Sequence, residues 1–546
     1  MKKTEETKNT EGIKRKELVK KIENSQTIQK GKKGISSVIF GRTFLVFFSL
    51  FLQLIFMVWG YYWLASKWYF VNGVVTVLGV LEVIYVANER SNPAFKLAWT
   101  IVILALPIFG SLLYLFVETQ PATKWINKRL QSMHAYSKKY WKQDKEVLEE
   151  LEETNDQVAH LARYVNHFGG FSVYKDTSAK YFPSGEAKFE ELLIQLQKAE
   201  KFIFMEYFIV AEGYMWESVL EILKAKVKEG VEVRFLYDGM CCLSLLPYHY
   251  PQELESYGIQ CHMFAPIVPA LSTRQNNRDH RKIVVIDGKV AFTGGINLAD
   301  EYINRKERFG HWKDTAIMIT GEAVRSFTIM FLEMWSVDKN LRNMPLELFE
   351  KYLDIVPDKE SEPGDGFIMP YGDSPLDNET VGEQVYMDIL YTAKDYVHIM
   401  TPYLILSNEM ITALTYAAKR GVDVKIIMPH IPDKWYAFVL AKTYYNELLD
   451  AGVKIYEYTP GFVHAKVFTS DDEKAVVGTI NLDYRSLYLH FECAVYLYQN
   501  EEIPSIEEDF QETLAKCQEV LPSDYKRQKF FDRMAGRVLR ILAPLM

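Results

Sequence analysis

His280, Lys282 and Asp287 form the pattern H-x-K-x4-D inside NNRDHRKIVVIDGKVAFTGGIN, and His464, Lys466 and Asp471 repeat it in HAKVFTSDDEKAVVGTIN. One such triplet arises by chance at roughly one position in ten thousand in a chain of this composition. The two copies also share later offsets: a glycine fourteen residues after each His (Gly294, Gly478) and an asparagine seventeen after (Asn297, Asn481). They form an internal repeat that carries the chemistry. A His and a Lys two residues apart on a strand point to the same face, making a compact cationic site. An asparagine beyond the glycine turn can return to that site from the next strand.

The elements that position these residues are legible on both sides of the motifs. KIVVIDG and AKVFTSDDE read as strands running into turns. Upstream, KFEELLIQLQKAEKFIFMEYFIV reads as helix then strand, and WESVLEILKAKVKEG precedes VEVRFLYD. The second half repeats this with GEQVYMDILYTAKDYVHIMTPYLI and with MITALTYAAKRG before VDVKIIMP. Helices alternating with buried strands indicate α/β units. The expected fold is α/β, with two pseudo-symmetric halves of mixed β-sheet flanked by helices, following an N-terminal transmembrane helical region. The divisions are a basic disordered tail (1–36), the apolar region (37–120), a basic helical linker (121–165), a first half (166–345), a second half (366–520) and a C-terminal amphipathic helix (521–546).

The motifs and their surroundings resemble the phospholipase D superfamily. NNRDHRKIVVIDG, GGINLADEY and HWKDT in the first half, and PGFVHAKVF, GTINLDYRS and HFE in the second, are similar to bacterial cardiolipin synthases of that type. Two local departures are Asp279 before His280 and His490 before Phe491-Glu492, both where Asn is common. The resemblance implies transfer of phosphatidyl from one phosphatidylglycerol to another, giving cardiolipin and glycerol through a phosphohistidine. One imidazole attacks phosphorus and the other protonates the leaving oxygen, then deprotonates the incoming alcohol. The resemblance gives the attacking role to His280 and the acid/base role to His464. Lys282 and Lys466 neutralise non-bridging oxygens, and Asn297 and Asn481 add hydrogen bonds there. The resemblance also gives each imidazole an orienting acid beyond the motif, with Asp314 and Glu492 the candidates. Asp287 and Asp471, counted with the catalytic sets, are equally well read as braces of the fold. His311, His430 and His490 are read as surface or supporting positions. No metal or cofactor is expected, because the two lysines do what magnesium does in kinases. Phospholipase D or another phosphatidyltransferase would use the same residues, and a catalytically silent membrane scaffold would not need both triplets intact.

The 546 residues carry a net charge of −8 that conceals an asymmetry. Residues 1–42 hold twelve Lys or Arg against five acids, and residues 124–145 hold seven against one. Basic blocks flanking apolar stretches suit an anionic membrane lipid surface, and the acidic remainder argues against nucleic acid. Residues 43–66, 68–88 and 98–117 are the expected spans, the second interrupted by Asn72 and Glu82 and the third containing Pro107. The five cysteines include no C-x-x-C pair and read as reduced, buried thiols. The expected location is a multi-pass bacterial cell-membrane protein. Three full spans would separate the two basic blocks, so either one stretch is re-entrant or interfacial or the positive-inside rule fails here; the expected catalytic body is cytoplasmic. In a background without native cysteines, single cysteines in the tail and at Lys138 should both resist an impermeant thiol reagent in intact cells. Labelling at Lys138 alone would place the body outside.

Overall fold

The structure is a computed structural model. It describes residues 69–119, 121–265, 277–337, 347–353, 364–377, 379–523 and 529–545, with a few positions between 51 and 60. Among the described residues, two large sheets carry the two halves. The first has seven strands in the order Ser178–Phe182, Ala316–Thr320, Val290–Gly294, Ile283–Ile286, Phe202–Tyr207, Glu232–Asp238 and Gln260–Phe264. The second follows the same order with Phe367–Asp373, His490–Tyr498, Lys474–Gly478, Val467–Ser470, Tyr396–Met400, Asp423–Pro429 and Lys454–Tyr458, then adds Cys517–Glu519 at its edge. In each sheet the last three of these shared strands run parallel and the others pair antiparallel. Parallel neighbours need crossovers, and the helices Tyr214–Lys228 and Asn408–Lys419 supply them. Strands FIFMEY and IVVI are buried at every position, as the near-continuous apolar pattern requires. One hydrophobic core joins the halves; Ile317 and Phe331 share it with Tyr371 and Val477.

The strand after each H-x-K turns back through a three-residue loop. Asp287 and Gly288 have φ of 54° and 69°, Asp471 and Asp472 have 56° each, and Lys289 and Glu473 donate back to Ile286 and Ser470. Two successive positive φ values are the geometry of a type I′ turn, whose twist suits a hairpin. At this turn Asp287 accepts from the backbone N–H groups of Glu200, Lys201 and Phe202, each at 2.7 Å. Asp471 does the same for Lys394, Asp395 and Tyr396 at 2.8, 2.9 and 2.9 Å. A strand separates each aspartate from its lysine, about 16 Å at 3.3 Å per residue. Asp287 and Asp471 thus tie each hairpin to the start of the neighbouring strand, as the brace reading has it.

The apolar region also departs from expectation. Residues 43–66, the first expected span, lie almost wholly outside the described residues. The second expected span is the helix Tyr69–Asn88. The third, 98–117, is not one helix. It breaks at Leu106 into Pro93–Ala105 and Pro107–Thr119, 13 residues each and so about 20 Å long. Pro107 cannot continue the preceding helix, because it lacks an N–H and restricts Leu106 before it. Among the described residues no helix is long and apolar enough to cross a membrane. Asn92 caps Pro93–Ala105 by accepting from Ala94 N at 2.9 Å, and its Nδ2 donates to Tyr488 Oη at 3.2 Å. That contact docks the turn before Pro93–Ala105 on the second half.

Residues 121–165 are helical, as expected, but pack rather than link. Leu151, Val158, Ala159 and Leu161 are buried in the common core. The C-terminal helix Phe530–Leu542 docks on the helix Trp435–Asp450, with Gly536 against Val439 and Thr443 and with Arg540 donating to Thr443 O at 3.1 Å. Phe530, Met534, Val538 and Ile541 remain exposed along its other face. All five cysteines are free.

The aspartate braces can be tested by stability. Asp471→Ala loses three charge-assisted bonds and places Ala at positive φ, so it should lower the unfolding free energy by about 2–3 kcal/mol. Asp471→Asn, which keeps an acceptor and tolerates that φ, should lose about half as much. Urea titration of both variants measures the difference.

Candidate active site

The two halves exchange short strands at the motifs. Arg278–Asp279 pairs in parallel with His490–Phe491, and Gly461–Val463 pairs in parallel with His311–Lys313. The next residues continue the exchange: His280 N donates to Phe491 O at 3.0 Å, and His464 N donates to Lys313 O at 2.7 Å. Each exchange delivers a carboxylate from the opposite half. His280 Nδ1 lies 2.8 and 2.9 Å from the two oxygens of Glu492, and His464 Nδ1 lies 2.7 Å from Asp314 Oδ2. The expected orienting acids thus stand beside the imidazoles, each crossing from the other half.

Gly295 and Thr479 occupy matching places in GGIN and GTIN. A Cβ on Gly295 would meet Asp314 Oδ1 at 2.0 Å, so the shorter acid needs glycine behind it. The Thr479 hydroxyl instead donates to Glu492 Oε2. Neither residue is singled out by the motifs; the mismatch between GGIN and GTIN was the available signal.

Lys282 and Lys466 fold back to donate to the carbonyl oxygens of His280 and His464. Lys466 Nζ also lies 2.9 Å from His464 Nδ1. With that nitrogen's hydrogen directed to Asp314, this contact is a charge held against the ring. Burial pushes Lys466 down to about 7 and Lys282 down to about 8. Burial, reinforced by the adjacent ammonium groups, pushes His464 down to about 4 and His280 well below the usual histidine range. Burial pushes the Glu492 carboxyl up to about 8. The groups are arranged as for an anion that will restore the lysine charges.

Asn297 Oδ1 accepts from Ile209 N at 2.9 Å, and its Nδ2 donates to Tyr302 Oη at 2.7 Å. Asn481 Nδ2 donates to Ser486 Oγ at 3.0 Å, and its Oδ1 has no hydrogen-bond partner among the described residues. Each amide keeps one N–H for a ligand, so these residues also hold the loops that wall the site. Aromatic rings complete the walls, with Phe208 4.6 Å from His280 and Trp312 5.4 Å from His464.

His311 and His430 are exposed, paired with Tyr458 and Glu457 respectively. His490 is different: of its two expected readings, surface or supporting, the surface one does not hold. It is buried with its ring 5.6 Å from that of His280. Strand exchange placed it there, a long-range event with no local signature. Among the described residues, His280, His490 and Glu492 present possible metal-ligand atoms within 4.8 Å of one another. Lys282 and Lys466 act on His280 at close range and oppose a dication there. The group is better described as a hydrogen-bonding cluster beside an anion site.

The depressed lysines make a prediction. An anion raises their affinity for protons, so at pH 8 binding of tungstate, which does not itself titrate there, should be accompanied by uptake of up to about one proton. At pH 6 the lysines are already charged and their share of the uptake should vanish. Calorimetry in buffers of different ionisation enthalpy reads this directly, and Lys466→Met should remove most of it.

Comparison with known proteins follows the same lines. The family model described as "Cardiolipin synthase, PLD-like domain" matches residues 192–335 and 386–514. The model described as "Phospholipase D-nuclease N-terminal" matches residues 74–118. A Streptococcus mutans protein is 53% identical over 465 residues, covering 85% of this chain and 99% of the relative. A cardiolipin synthase of Geobacillus kaustophilus is 34% identical over 480 residues, covering 87% and 94%. The crystal structure of phosphatidylserine synthase from Haemophilus influenzae superposes with a TM-score of 0.53 at 15% identity, over 71% of this chain and 98% of that one, a likeness of fold. The duplicated motif, the crossed His–carboxylate pairs and these relatives agree: the chain belongs to the cardiolipin synthase family of the phospholipase D superfamily.

Proposed function

We propose that the protein converts two molecules of phosphatidylglycerol into cardiolipin and glycerol through a phosphohistidine intermediate. The observation that carries this reading is the pair of His–carboxylate dyads, each accompanied by a buried lysine. The donor phosphodiester sits between the imidazoles, its non-bridging oxygens against Lys282 and Lys466. One imidazole forms an N–P bond as the P–O bond to glycerol breaks, and the other gives its proton to the departing oxygen. The second imidazole then takes the proton from a hydroxyl of another phosphatidylglycerol, whose oxygen displaces the first. Glu492 and Asp314 hold the two rings in the required orientation. Asn297 and Asn481 spend their remaining N–H groups on the phosphate oxygens.

The lipid setting is part of the proposal. Val77, Leu81 and Ile84 are exposed on Tyr69–Asn88, Leu97, Ile101 and Leu104 on Pro93–Ala105, and Leu112, Leu115 and Phe116 on Pro107–Thr119. So much outward apolar surface on adjacent helices suits a bilayer. The basic blocks favour a multi-pass bacterial membrane protein with its catalytic body in the cytoplasm and anionic lipid at its surface.

The deciding assay supplies phosphatidylglycerol to the membrane-embedded enzyme and follows cardiolipin, glycerol and phosphatidic acid together. Cardiolipin and glycerol in equal amounts are expected; phosphatidic acid in place of cardiolipin would make the enzyme a phospholipase. His280→Ala and His464→Ala should each lower turnover by several orders of magnitude, since neither role can be taken by the other half. Near-normal turnover of either variant would end the two-histidine scheme.

A further inference from the structure

The C-terminal helix Phe530–Leu542 leaves one face without a partner among the described residues. Phe530, Phe531, Met534, Val538 and Ile541 are all exposed there, Phe531 by 82%. At roughly 100° per residue they fall within an arc of about 100°. A contiguous exposed apolar strip marks an interaction site. The helix is also basic: residues 529–542 hold four Lys or Arg against one acid. Arg540 is engaged within the protein, donating to Thr443 O at 3.1 Å and to Glu447 at 3.3 Å. The side chains of Lys529, Arg533 and Arg537 make no hydrogen bond or ion pair among the described residues. By the same helical count, Arg533 and Arg537 border the apolar arc on one side.

Packing decides where that face lies. Gly536 lets the helix lie close to Trp435–Asp450, since a Cβ there would meet Val439 O at 2.9 Å. One turn on, Arg540 reaches Thr443 and Glu447, and its guanidinium lies 4.3 Å from the centre of the Tyr444 ring. The two helices therefore run in the same direction. Phe530 and Phe531 stand at the same end of the pair as Trp435 and Tyr436, which are exposed as well, Trp435 by 57%. This end adjoins the catalytic site. Lys434, just before Trp435, shares a pocket with Tyr403 and Phe462, and the Phe462 ring lies 5.8 Å from that of His464. At the other end the turn Ala543–Leu545 packs against Pro93–Ala105, one of the exposed apolar helices. The C-terminal segment joins those helices to the rim of the active site.

We propose that the apolar face of Phe530–Leu542, together with Trp435 and Tyr436, seats on the surface of an anionic lipid bilayer and holds the His464 side of the site there. This rests on the lipid setting of the phosphatidyl-transfer reading and names a surface for it. Charge and shape favour a bilayer over a protein partner. Basic side chains bordering an apolar arc match a helix lying in the head-group layer, its cations on lipid phosphates and its apolar groups among the acyl chains. Trp and Tyr rings favour that same layer. Seated in this way, the site can receive a lipid whose acyl chains stay in the bilayer and whose head group alone rises to the histidines.

The test uses the full-length protein without its native cysteines, in vesicles of phosphatidylglycerol and phosphatidylcholine that contain nitroxide-labelled lipid. A bimane label is placed on Phe531→Cys, Val538→Cys or, as a control on an exposed first-half helix, Glu221→Cys. The nitroxide should remove about half of the fluorescence or more at the first two positions and little at the third, as expected for side chains at the acyl boundary. Arg533→Glu with Arg537→Glu should weaken quenching at Val538→Cys in vesicles rich in phosphatidylglycerol and change it little in pure phosphatidylcholine. In the native-cysteine background, Phe530→Ser with Phe531→Ser should lower turnover of vesicle phosphatidylglycerol roughly fivefold more than turnover of short-chain phosphatidylglycerol dispersed as monomers, whereas a folding defect would lower both alike. Cardiolipin formed without quenching, or with equal quenching at Glu221→Cys, would overturn this inference and leave phosphatidyl transfer standing. So would a label signal that follows protein density rather than nitroxide lipid, which would make the face a contact between two copies of the chain. Quenching without cardiolipin would end the transfer reading and leave the lipid surface in place.

Discussion

Each imidazole of the site is oriented by a carboxylate from the opposite half, and the rest of the structure depends on that crossing. His280 leans on Glu492 and His464 on Asp314. Both bonds are buried and follow directly from backbone pairing, since the residue preceding each acid accepts from the backbone N–H of the histidine it serves. A half folded alone would present a histidine without its acid and an acid without its histidine. Buried groups left in that state cost free energy, so the halves are bound by the chemistry as well as by their shared core.

The two copies are similar but not equivalent. One acid is short and lies against Gly295; the other is longer and is held by Thr479. Among the described residues only the Glu492 side has a further imidazole next to it, because His490 stands two residues before Glu492 where Trp312 stands two before Asp314. The lysines, by contrast, are alike in both halves. Each is buried, each is tied to its own motif carbonyl, and each is depressed by that burial.

The segments around the catalytic body are joined to it by specific contacts. Asn92 and Phe95 touch Tyr488, whose hydroxyl donates to Glu383 at 2.7 Å. Tyr488 ends the short helix that begins just beyond Asn481. The segment around Asn92 is thus joined to the helix whose Ser486 accepts from the site residue Asn481. The C-terminal helix uses Gly536 to approach its neighbour closely and turns its phenylalanines outward.

The sequence by itself determined the chemistry-bearing residues and the local elements that hold them. H-x-K spacing places both side chains on one strand face, β-branched runs make the hairpins, and equal offsets to Asn297 and Asn481 announce two copies of one unit. These are properties of neighbours along the chain, where periodicity suffices. Asp314 and Glu492 were legible as acids with a role, but not as acids that cross. The break at Pro107 was visible as a residue and was outweighed by the apolar run around it. Tertiary structure decided the remainder. Asp287 and Asp471 became braces because the hairpin returns to the strand beside it, and His490 entered the site because its strand pairs with Arg278–Asp279. Pairings between residues some two hundred positions apart leave no trace in local spacing; they are set by the packing of two sheets around one core.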